Sequence, residues 1–105
     1  MTAAHSGDLL GWHKAAERAL NARDFRRAHE LCLKILVADP GHADALFLLA
    51  VIAIEHGNFR KALEVVDRAI ALAAERADYH AQRSRCLLAL HRPREAFEAA
   101  AQALA

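Results

Sequence analysis

Seven histidines and two cysteines are the residues of this 105-residue chain best suited to chemistry. His5, His13, His29, His42, His56, His80 and His91 are of a type that ligates metals or carries protons, and Cys32 and Cys86 are potential nucleophiles. A metal centre needs three or four such groups converging on one point. Only His13 and Glu17, four residues apart, share a helical face, and the chain has neither an HExxH pattern nor a histidine-rich tract. His42, His56 and His91 fall at helix ends or turns and read as solvated residues. Cys32 lies in the apolar stripe of its helix, and Cys86 in the stripe with Leu87 and Leu90, so both read as small core residues. No Gly-x-Ser-x-Gly elbow and no phosphate-cradling glycine loop occurs. The reading is a chain with no catalytic residue, no metal and no cofactor.

The elements that would position these residues are helical. Alanine supplies 26 residues and leucine 15, whereas Val, Ile and Thr together supply nine. Sheets are rich in β-branched residues, so a β fold is disfavoured. Four glycines and two prolines leave few breaks, which favours long helices with short connections. A formal net charge of +1 argues against nucleic acid as a partner. No apolar run approaches the ~20 residues of a membrane span, so no membrane is expected either. The first eight residues lack a basic stretch followed by an apolar one and do not resemble a secretory signal. Two cysteines far apart imply no disulfide framework, so a reducing, cytoplasmic setting is expected. Eleven arginines against three lysines, with so much alanine, suggest a GC-rich bacterial genome.

Shifting the sequence by 34 residues aligns Arg26, Arg60 and Arg94, then Ala28, Ala62 and Ala96, then Glu30, Glu64 and Glu98. Leu20, Ile54 and Leu88 form an aliphatic column, as do Leu36, Ile70 and Leu104. Such self-similarity marks a repeat architecture. Each repeat reads as two helices, and the spacing predicts six, over 9–22, 25–38, 43–56, 59–73, 77–90 and 93–104. Asp24 and Asn58 suit the N-caps of the second helices, and Pro93 suits the first helical position of the last one. The expected fold is an all-α, right-handed solenoid of three helix–turn–helix repeats, at 9–42, 43–76 and 77–105, behind a flexible stretch at 1–8.

The pattern resembles the tetratricopeptide repeat family. Trp12, Phe25, Ala28, Leu36 and Pro40 carry the resemblance in the first repeat. Leu49, Ala50, Gly57, Phe59, Ala62, Ala69 and Ile70 carry it in the second, and Ala96, Ala103 and Leu104 in the third. Ala74 and Arg83 depart from it, standing where a proline and an apolar residue are usual. The resemblance implies a protein or peptide partner held in a concave groove lined by the first helix of each repeat. Aligned on that pattern, the groove residues are Leu10, His13, Lys14, Glu17, Leu20 and Asn21, then Asp44, Phe47, Leu48, Val51, Ile54 and Glu55. The third repeat adds Asp78, Ala81, Gln82, Arg85, Leu88 and Ala89. The core of this set is Leu10, His13, Glu17, Phe47, Leu48, Val51, Ile54, Gln82 and Arg85. Leu46–Ile54 is apolar almost all round, so Phe47, Leu48, Val51 and Ile54 are expected to form an exposed patch for an apolar or amphipathic segment. Chaperone-type members of the family clamp a terminal carboxylate with basic groups, and Glu17 and Asp78 would repel one here.

Two further expectations concern the outside and the end of the stack. Arg26, Arg60 and Arg94 each precede a glutamate by four residues, which predicts a ridge of local ion pairs rather than a basic docking strip. Tyr79, Cys86, Leu87, Phe97 and Leu104 need cover that one preceding repeat gives on one side only, with Arg83 expected on the open side. A self-associating scaffold, a homo-oligomer, is therefore the main alternative, alongside the N-terminal part of a larger bacterial enzyme or assembly protein.

Overall fold

The computed structural model describes residues 6–105 and consists of six helices. These are α1 (Ser6–Asn21), α2 (Phe25–Ala38), α3 (Ala43–Glu55), α4 (Phe59–Leu72), α5 (Ala77–Ala89) and α6 (Pro93–Leu104). Residues 6–8, expected to precede the first helix, are helical, and Asp8 in this first turn suits the helix dipole. The rest of the expected flexible stretch, residues 1–5, lies outside the described residues.

The caps sit where residue type places them. Asp24 accepts from the Arg27 amide at 3.2 Å, and Asn58 from the Lys61 amide at 3.4 Å. Arg92 makes no side-chain cap, and Pro93 opens α6 instead. The three turns inside the repeats share one geometry. Arg23, Gly57 and His91, spaced by 34, all have φ between 60° and 73°. The next amide in each turn donates five residues back, Asp24 to Ala19, Asn58 to Ala53 and Arg92 to Leu87. This is the helix-ending arrangement that needs a left-handed residue, and only the middle turn uses glycine for it.

Each hairpin packs its helices through small residues. Ala16 faces the Leu31–Cys32 stripe, and in the last hairpin Ser84 donates its hydroxyl to the Ala96 carbonyl at 2.7 Å. Hairpins then stack by setting the next first helix on the preceding pair. Leu48 enters the cluster of Ala16, Leu31 and Cys32, while Tyr79, Cys86 and Leu87 join Leu46, Ile54, Leu63 and Val66. Because each repeat contacts only its neighbours, the body is long, 47 × 25 × 19 Å.

Candidate partner-binding face

α1, α3 and α5 touch in series along one side, whereas among the described residues α2 does not reach α4, nor α4 α6. The first helices therefore crowd on an inner side and the second helices fan apart on an outer side.

Asp44, in the first turn of α3, is the hub of the inner face. Its Oδ1 accepts from the Tyr79 hydroxyl of α5 at 2.6 Å, and its Oδ2 accepts from His13 Nε2 of α1 at 2.6 Å. Arg76 Nη2 stands 3.4 Å from Oδ1 and grips Asp78 bidentately, at 2.8 and 3.1 Å. One carboxylate thus ties three repeats together. Burial works to raise the Asp44 carboxyl, but the bonds from Tyr79 and His13 and the Arg76 charge outweigh it, leaving the pKa below the usual 3.8. An ionised carboxylate only accepts, so His13 holds a proton on Nε2 in this arrangement. His13 Nδ1 lies 3.5 Å from Glu17.

Burial first, then the bond to Asp44, pushes the Tyr79 phenol well above its ordinary value. Burial, with some help from Asp44, pushes the Cys32 thiol up to about 11, and burial raises Cys86 as well. Both thiols are protonated at neutral pH, and the thiolate is the reactive form. Among the described residues no three of His, Cys, Asp and Glu stand together as a metal would require.

The residues picked from sequence divide into three groups. Leu10, Glu17 and Arg85 are exposed, and His13 is half-buried at the hub. Val51 is half-buried and lines a cleft of about 340 Å³ with Leu20, Asn21, Arg23, Phe25 and Glu55, across which Arg23 and Glu55 pair at 3.5 Å. The other apolar members are drawn inward. Leu48 and Ile54 are 6% and 4% exposed, which corrects the expected four-residue patch. Phe47 is half-buried, stacked on Tyr79 with ring centroids 4.6 Å apart. The reason is position: α3 is the middle helix and is covered by α1, α2, α4 and α5, so its apolar circumference serves the core. Gln82 takes the place in α5 that Leu48 takes in α3, and its Oε1 is buried without a partner. Sequence reasoning put Asp44 in the groove but missed it as a hub. Tyr79 was assigned to the core, and its hydroxyl had no visible acceptor until α3 and α5 were placed side by side.

The outer ridge also departs from expectation. Arg26 pairs with Glu30 at 3.9 Å, but Glu64 pairs with Lys61 instead of Arg60, and Arg94 forms no ion pair with Glu98. All are exposed, so the fixed partner is set by rotamer rather than by burial. Arg83 is not on the open end: its Nε meets Asp67 of α4 at 2.7 Å, facing the preceding repeat.

A family model of the tetratricopeptide repeat matches residues 19–86. The chain belongs to the tetratricopeptide repeat family. No curated protein matches it. Among solved structures this tetratricopeptide repeat chain is similar to a mutant Thermobaculum terrenum O-GlcNAc transferase, with 26% identity, a TM-score of 0.93, and coverage of 99% of this chain and 20% of that one. It thus spans about a fifth of that transferase. A second similar structure is the first repeat domain of Spaghetti (RPAP3) bound to an HSP90 peptide, at 18% identity and TM-score 0.88, covering 99% of this chain and 82% of that one. MamA gives 14% identity and TM-score 0.82, over 91% of this chain and 56% of that one. The last two likenesses concern the fold alone.

Proposed function

We propose that the inner face of α1, α3 and α5 binds an amphipathic segment of a partner polypeptide, and that the chain works as an interaction module without catalysis of its own. The observation that carries this reading is the cleft at Val51. Half-buried Leu20, Phe25 and Val51 give it apolar walls, and exposed Asn21 and the Arg23–Glu55 pair give it polar ones. A segment with one apolar and one polar side satisfies both. Lys14, Glu17 and Arg85, exposed on α1 and α5, add both signs of charge to those helices. The peptide-bound Spaghetti domain supports the reading as a case of the same fold holding a peptide.

The test uses a helical amphipathic peptide selected against the whole chain. Val51→Glu and Arg85→Glu should each weaken its binding by at least about tenfold, with helicity unchanged by circular dichroism. Arg60→Glu, on the outer side, should leave binding as it was. Equal binding by all three variants would remove the inner face as the site.

A further inference from the structure

We propose that the outer groove between α2 and α4 is a docking site for an acidic amphipathic helix of a partner polypeptide. The groove shares only Phe25 with the Val51 cleft, so this proposal does not rest on the inner face.

The starting point is a difference between the two places where one repeat meets the next. At the second junction Leu63, Cys86 and Leu87 are buried, and Asp67 of α4 bridges to Arg83 of α5 at 2.7 Å. Thirty-four residues earlier stand His29, Ile52 and Ala53, and the ion pair is replaced by Leu33 and Leu49. Leu33 is 46% exposed, and Leu49 and Ala53 are half-buried. The space left between the helices forms two adjoining clefts of about 470 and 280 Å³, which share His29, Ile52 and His56. Both junctions are internal to the stack. Apolar surface left open at one, where the other closes it with an ion pair, marks a partner site.

The walls decide what fits. α2 and α4 have 14 residues each, so they bound a trough about 20 Å long. A floor recessed between two helices takes a rod rather than a plane, and a third helix laid along it buries an apolar stripe on Leu33, Leu49 and Ile52. Charge sets the rest of its composition. Arg26 of α2 and Lys61 of α4 line the clefts, and Arg68 follows Lys61 by two turns on the same face. Among the described residues that line the clefts only Glu30 is acidic. Arg26 to Glu30 and Lys61 to Glu64 are both 3.9 Å, and both cations stay exposed, so each can meet a further carboxylate. His56 is held ready: its Nδ1 donates to the Ile52 carbonyl at 2.8 Å, and its ring meets Phe25 edge-on at 5.1 Å. The inner face carries both signs of charge, whereas this groove is mainly positive, so the two select different segments.

The test is an amide chemical-shift titration of the whole chain with a synthetic peptide of about 14 residues. The peptide is acetylated and amidated, with leucine along one face and glutamate along the other. It should perturb His29, Leu33 and Lys61 and leave His13 and Arg85 unmoved. Leu33→Glu, at an exposed position, should weaken binding by at least about tenfold, and Lys61→Glu by about threefold. Leu33→Asp combined with Leu49→Arg installs the ion pair of the second junction and should also cost at least about tenfold, with helicity kept. Arg94→Glu on α6 should bind as the parent does. A peptide with lysine in place of glutamate should bind at least about tenfold more weakly. Silence at His29, Leu33 and Lys61 at about 1 mM peptide overturns the proposal. So does equal binding of the lysine peptide, or binding that survives both Leu33→Glu and Lys61→Glu. Shifts of the same amides as the chain alone is concentrated would assign the groove to a second copy instead.

Discussion

Three ion pairs on the outer helices form within about one turn, Arg26 with Glu30, Lys61 with Glu64, and Arg92 with Glu95, and among the described residues Asp67 of α4 alone reaches another helix, at Arg83 of α5. On the inner helices Asp44 reaches His13 in the repeat before it and Tyr79 in the repeat after it. The two faces therefore contribute differently. The three local pairs are exposed, so they contribute little to the stability of their own helices. The inner cluster is half-buried and long-range, so it fixes how one repeat sits on the next, and hence the shape of the face offered to a partner.

The largest expected effect breaks that contrast if it fails. Asp44→Ala removes the acceptor from the buried Tyr79 hydroxyl and should cost about 2 kcal/mol of stability in urea unfolding. Glu30→Ala on the outer face should stay within about 0.5 kcal/mol. Equal losses would mean that the inner network is no more than another surface pair.

The same carboxylate gives a pH signature. Its folded pKa lies below the ordinary 3.8, so its contribution is present above that value and is lost as the pH falls through the folded pKa. The stability gap between the parent and Asp44→Ala should therefore hold from neutral pH down to roughly pH 4 and close below it. A gap that persists unchanged in stronger acid contradicts the assignment.

Two smaller effects sharpen the comparison at the points where inner helices meet their neighbours. Gln82→Leu restores the aliphatic residue that Leu48 supplies one repeat earlier and relieves the unpaired Oε1, so it should stabilise by about 1 kcal/mol. His91→Gly gives the last turn the residue that Gly57 gives the middle one, and should add about 0.5 kcal/mol by removing left-handed strain. Both are read from thermal unfolding, and a loss of stability in either would show that the repeats are not equivalent at that position.

Most of the architecture was legible because it repeats. The 34-residue columns, the caps Asp24 and Asn58, and Pro93 each carry their own local reason, and local reasons survive folding. The face was legible only in part. Leu48 and Ile54 look like binding residues because α3 is apolar all round, but burial depends on how many neighbours a helix has, and periodicity within one helix does not contain that number. The Arg60 and Arg94 pairings failed for a related reason: a four-residue spacing permits an ion pair without selecting it over the alternatives. The left-handed column at residues 23, 57 and 91 was within reach, since Gly57 marks it and the shift carries it to Arg23 and His91.

On the proposed function, partners meet the inner face. The most direct measurement is amide chemical-shift mapping of the labelled chain with the selected amphipathic peptide. Perturbations are expected at His13, Val51 and Arg85 on α1, α3 and α5 and at Phe25 in the cleft, with the rest of α2 and the exposed faces of α4 and α6 unmoved. Perturbations concentrated on α2 and α4, with Val51 and Arg85 silent, would contradict it.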